Sequence, residues 1–129
     1  MIDVIRLMLA LFFALFMALP VTAPARAGGD AAGGEARFKD CAACHKLEPG
    51  INNVGPSLHA IFTRKAGELA DFRYSPAMKR SGIVWTAETL DKFLSDPQGM
   101  VPGNRMPYAG MASADDRANL ITYLQNATK

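Results

Sequence analysis

The sequence predicts an all-α fold with long loops, on three observations. No stretch alternates apolar and polar residues with β-branched enrichment, as a half-buried strand would. Apolar residues recur at three- and four-residue spacing after Thr86 and again after Ser113, the mark of an amphipathic helix. Between these segments Gly, Pro and Asn cluster as loop punctuation.

Gly28 to Gly34 reads as a Gly/Ala-rich lead-in with little to bury, and Glu35 to Cys44 as a helix built from good helix formers, closed by two cysteines. Lys46 to Pro56 is loop chemistry, and Leu58 to Phe62 is at most a short apolar turn. Ser75 followed by Pro76 has the form of an N-cap with proline at the first helical position, giving a brief helix over Ala77 to Ser81 that stops at Gly82. Thr86 caps the next helix, whose Leu90, Phe93 and Leu94 share one face, and Asp96-Pro97 ends it. Gln98 to Gly110 is irregular. Ser113-Ala-Asp-Asp opens the last helix like a capping box with a shorter acid, and Leu120, Tyr123 and Leu124 form its apolar stripe. Three main helices are thus expected, with short ones and long loops between them.

The first 27 residues read as a secretory signal peptide. Arg6 precedes an unbroken apolar run from Leu7 to Leu19, then Pro20 and a small-residue segment in which Ala25-Arg26-Ala27 fits the cleavage pattern. An uncleaved anchor is the rival, but the run falls short of the roughly 18 apolar residues a spanning helix needs. The expected product is a single domain over 28–129, exported to the periplasm. It keeps 12 of the chain's 14 basic and 11 of its 12 acidic side chains. So small a net charge gives no reason to expect a nucleic-acid partner. About a hundred residues make a small core, and a buried cofactor would staple it.

Cys41-Ala-Ala-Cys44-His45 is the C-x-x-C-H pattern of covalent haem attachment. Two thiols three residues apart reach the two vinyl groups of one haem, and the next residue offers an imidazole to the iron. A zinc half-site would need two more ligands, and His59 is the one other histidine. A thioredoxin-like pair wants a βαβ context, and a plain disulfide gives the adjacent histidine no purpose. The residues by themselves leave the sixth iron ligand open among His59, Met78, Met100, Met106 and Met111.

In order along the mature chain, Gly34 with Phe38, the haem motif, Gly55-Pro56-Ser57-Leu58, Arg64-Lys65-Ala66-Gly67, Tyr74, Trp85, Pro102-Gly-Asn-Arg-Met106-Pro-Tyr-Ala-Gly110 and Leu120-Ile-Thr-Tyr123-Leu124 resemble the class I c-type cytochromes. That is the family of mitochondrial cytochrome c and its bacterial periplasmic relatives. The resemblance implies the class I cytochrome c fold wrapped around one haem c bound through Cys41 and Cys44. It makes His45 and Met106 the axial ligands, a pairing that raises the potential. It has Pro56 support His45 through its carbonyl, and Arg64, Tyr74 and Trp85 satisfy a buried propionate. For Trp85 the alternative is a core aromatic, and for Arg64 a solvated surface charge. His59 is read as a structural hydrogen-bonding residue.

The family also implies a one-electron carrier, not an enzyme: with both axial positions filled, no substrate reaches iron. A monomer is expected, meeting redox partners such as a membrane cytochrome complex, an oxidase, a reaction centre or a periplasmic dehydrogenase. An enzyme-bound electron-accepting subunit and a peroxidase or gas-binding protein are the other readings, the last without an evident acid-base pair beside the iron. The chain departs from mitochondrial cytochrome c at Met78 and Phe93, where the family places hydrogen-bonding side chains near the sulfur. It also lacks most of the lysines around the haem edge, where Arg105 is the clear remaining cation.

Overall fold

The computed structural model describes residues 28–129. The leader read over 1–27 lies outside the described residues. Among the described residues, five α-helices follow in order: α1 Ala31–Ala42, α2 Pro76–Arg80, α3 Ala87–Ser95, α4 Pro97–Met100 and α5 Ala114–Ala127. A 3-10 turn, Ile61–Thr63, lies between α1 and α2. The one β element among the described residues is an isolated antiparallel bridge between Lys65 and Val84.

The helix caps follow the local chemistry of the sequence. Ser75 accepts from the Met78 N–H with Pro76 at the first helical position. Thr86 and Thr89 form a reciprocal capping box, each side chain bonded to the other's backbone N–H. Ser113 caps α5 through the Asp116 N–H.

Two expectations are corrected. The glycine lead-in is helical from Ala31, because Asp30 caps it through the Ala32 and Gly33 N–H groups and Asn119 Oδ1 accepts from the Asp30 N–H. Gly34 is buried at the crossing of α1 with α5, where a Cβ would run into the Asn119 carbonyl and the Tyr123 side chain. The residue that weakens the helix locally is thus the one that lets it approach its partner. Phe38 packs on Tyr123 across the same crossing, ring centroids 5.5 Å apart.

The second correction concerns Asp96-Pro97, which ends α3 and also begins a helix. Asp96 accepts from the Gly99 N–H, and Pro97 stands first in the one-turn α4. The irregular stretch therefore starts at Val101 rather than at Gln98.

Leu90, Phe93 and Leu94 of α3 join Leu120, Ile121 and Leu124 of α5, with Phe38, Ile61 and Trp85, in one apolar core. Arg117 binds the edges of that core together. Its Nε donates to Asp91 of α3 at 2.7 Å, and its Nη1 to the carbonyls of Met111 and Ala112 at 2.7 and 3.0 Å. Arg117 is largely buried, so these charge-assisted bonds are worth more than a surface ion pair.

Candidate haem site

The core is not filled by protein alone. A cavity of about 300 Å³ opens inside it, walled by Leu90, Phe93, Leu94, Leu120, Leu124, Ile61 and Trp85. Cys41, Cys44, His45, Pro56, Arg64, Tyr74, Trp85 and Met106, the eight residues singled out from the sequence, all line it.

The attachment end is built by the way α1 stops. Its last turn closes with the Cys44 and His45 N–H groups both bonded to the Cys41 carbonyl, at 3.0 and 2.9 Å. That curl places Cys44 and His45 beside Cys41 on the cavity wall. No disulfide joins the two cysteines. Burial pushes the Cys41 thiol up to about 11, with Asp40 and Cys44 adding to the shift. Among the described residues no group of three or more His, Cys, Asp or Glu could hold a metal ion.

His45 Nδ1 and the Pro56 carbonyl are 2.7 Å apart, so the ring donates there and keeps a lone pair on Nε2. Burial holds the imidazole below its usual pKa, only partly offset by that hydrogen bond. The ring is therefore neutral near pH 7, the form a metal requires. Gly55 lies against its face, where any Cβ would collide with the imidazole.

The polar end gathers around Ser57, a fully buried residue that sequence reasoning passed over. Its hydroxyl donates to the Glu48 carbonyl at 2.6 Å, its N–H to Asn52 Oδ1, and its carbonyl accepts from Arg64 Nη2 at 2.8 Å. Arg64 is half-buried rather than solvated. Its Nε is, among the described residues, the one buried side-chain polar atom without a partner. A buried guanidinium with an unused N–H calls for an anion. Tyr74 lines the same region, its phenol pushed up mainly by burial and drawn back by Arg64. Trp85 stands edge-on to Phe93, 5.2 Å between centroids.

Among the candidates for a further ligand, Met106 and Met78 line the cavity, whereas His59, Met100 and Met111 do not. Met111 packs in the core, and His59 contributes its backbone N–H to Ser57 Oγ. An apolar slot with two thiols and a neutral imidazole on its wall and an unpaired Arg64 N–H fits a flat, apolar group bearing carboxylates, as haem does.

Comparison with known proteins agrees. The cytochrome c family model matches residues 31–128. The chain belongs to the cytochrome c family. It is 48% identical over 100 residues to cytochrome c2 of Agrobacterium tumefaciens, covering 74% of this chain and 90% of that protein. Cytochrome c2 iso-2 of Magnetospirillum fulvum is 47% identical over 89 residues, 69% of this chain and 93% of that one. The structure of cytochrome cH from Methylobacterium extorquens superimposes with a TM-score of 0.72 at 41% identity, covering 76% of this chain and 99% of that one. This cytochrome is thus a class I c-type cytochrome with covalent haem c on Cys41 and Cys44, and a mono-haem electron carrier.

Proposed function

We propose that this cytochrome is an exported one-electron shuttle whose haem iron is held by His45 and Met106. The observation that carries the reading is the single cavity that brings His45, Met106 and the unpaired Arg64 Nε to one apolar slot. Haem, when bound, supplies one-electron chemistry at its iron. The chain's residues do the rest. Cys41 and Cys44 tether the group, and Pro56 fixes the His45 tautomer, leaving the Nε2 lone pair free to hold iron. Arg64, with Tyr74 and Trp85 beside it, neutralises a propionate that would otherwise be buried as an unpaired charge. Leu90, Phe93 and Leu94 exclude water from the slot. If His45 and Met106 both hold the iron, no substrate would coordinate it, which favours transfer over catalysis.

Met78 is bonded at both its N–H and its carbonyl, so the preference for Met106 rests on its place in Pro102–Gly110, the segment that resembles the family's methionine loop. The Met106 N–H donates to Asn104 Oδ1 and its carbonyl accepts from Tyr108 N–H and Gln98 Nε2. The ferric protein is expected to show the weak near-infrared charge-transfer band of methionine sulfur on haem. Met106→Ala should abolish that band and Met78→Leu should retain it. A wild type without the band, or the opposite pattern in the variants, would reject this ligand set.

The leader over 1–27 supports delivery to the periplasm, where a monomer would meet larger redox proteins of a respiratory or photosynthetic chain. No helix among the described residues is long and apolar enough to cross a membrane. Intact-mass measurement of the exported protein is expected to give a chain starting at Gly28 plus one haem. A chain retaining Leu7 to Leu19 would show an anchor instead.

A further inference from the structure

We propose that Asn104 is the positioning residue that holds Met106 on the iron, a role that rests on Met106 being the ligand. Asn104 is the buried polar residue of the methionine segment, 7% exposed. Its carboxamide is fully used. Nδ2 donates to the Pro97 carbonyl at 2.8 Å and to the Val101 carbonyl at 3.0 Å, and Oδ1 accepts from the Met106 N–H at 2.9 Å. One side chain thereby connects the first residue of α4, the residue after its end and the methionine.

The three bonds differ in what their loss would leave behind. The Pro97 carbonyl also accepts from the Val101 N–H, and the Val101 carbonyl from the Asn104 N–H, so both keep a partner without the side chain. The Met106 N–H has no other acceptor among the described residues. Truncating Asn104 therefore concentrates its effect on the backbone of the methionine. Asparagine is chemically suited to this place because its side chain offers two donors and an acceptor at once. Aspartate would turn an oxygen toward two carbonyls, and serine is too short to span both sides.

Gln98 acts from the other side and more weakly. Its Nε2 reaches the Asn104 and Met106 carbonyls, both at 3.3 Å, from an exposed position. The Met106 carbonyl also has the Tyr108 N–H at 2.9 Å. Losing Asn104 thus leaves the Met106 N–H without an acceptor, whereas losing Gln98 leaves the Met106 carbonyl its bond from Tyr108. With Met106 on the iron, a loosened segment would let an external ligand replace its sulfur more readily, one iron–sulfur bond being exchanged for one iron–nitrogen bond.

The test is imidazole titration of the ferric holoprotein, followed by loss of the near-infrared band. Asn104→Ala is expected to bind imidazole at least tenfold more tightly than wild type, and Gln98→Ala less than threefold. Thr86→Ala removes a cap whose side chain neither lines the cavity nor bonds to the methionine segment, and lowers fold stability. It should leave the imidazole affinity within twofold. Asn104→Ser, which loses the span to α4, should move in the same direction as Asn104→Ala and serves if the alanine variant does not fold. Wild-type affinity in both Asn104 variants, or a change no greater than that of Thr86→Ala, would overturn the proposal with the Met106 ligand intact. A wild type lacking the band would overturn it together with the ligand assignment.

Discussion

Cys41→Ser/Cys44→Ser, prepared without haem, is expected to lose most of its far-ultraviolet helical signal and its cooperative thermal transition. Leu90, Phe93, Leu94, Leu120, Leu124, Ile61 and Trp85 are at once core residues and cavity walls. They bury their apolar faces against the cofactor as much as against one another. An unfilled cavity of about 300 Å³ at roughly 24 cal/mol per Å³ costs about 7 kcal/mol. That is comparable to the whole stability of a small domain, about 5–15 kcal/mol. The unpaired Arg64 Nε adds a buried polar group without its anion. Circular dichroism with a thermal scan decides the matter. Native helicity and a sharp transition in this variant would mean that the protein core stands without its cofactor.

Gly34→Val is expected to be the most damaging single substitution outside the haem site. Its Cβ would meet the Asn119 carbonyl carbon and the Tyr123 Cβ, both at 2.6 Å. No real Cβ packs so closely, and the carbonyl is backbone that cannot swing aside. Relief requires α1 to move off α5, the main helix pair of the fold. Overpacking of this kind typically costs about 1–3 kcal/mol and occasionally more. At the upper end, a domain of this size loses about 12–24 °C in Tm. The thermal midpoint of the holoprotein, followed at the haem absorption, is the measurement, and a fall of less than about 4 °C would contradict the close crossing. Because α1 ends at the haem attachment, a shift of α1 should also broaden the near-infrared band.

How far the fold and the site were legible in the residues depended on the range of the interactions. Cys41-x-x-Cys44-His45 is a local arrangement, and its chemistry needs little more than one turn of chain. The caps at Ser75, Thr86 and Ser113 are likewise formed within four residues, although the reciprocal capping box expected at Ser113 with Asp116 forms instead at Thr86 with Thr89. The apolar stripes of α3 and α5 carry their period in the sequence, so the faces that meet in the core were evident beforehand.

Other features had no local signal. Gly33 and Gly34 are poor helix formers; Asp30 caps the turn that contains them, and at Gly34 the Asn119 backbone and Tyr123 leave no room for a side chain. Asp96-Pro97 reads equally as a stop and as a start, and Asn104 bonding back to the Pro97 carbonyl accompanies the start. Ser57 and Asn104 look like ordinary loop residues; a capping serine and an asparagine turn have the same composition. They become keystones because carbonyls distant in sequence, those of Glu48 and Pro97, come within reach of a single side chain.

By itself the sequence determined the covalent attachment chemistry, the helical class and the apolar faces of the main helices, all of which are set by contacts within a few residues. Only the tertiary structure decided that a glycine pair belongs in a helix, that Arg64 is left with an unpaired N–H in an apolar slot, and that Met106 and Met78 alone among the candidate sixth ligands, within the described residues, reach the cavity. The reason is physical: a buried polar group must find its partner wherever the chain's packing brings one, and that packing is a property of the whole domain.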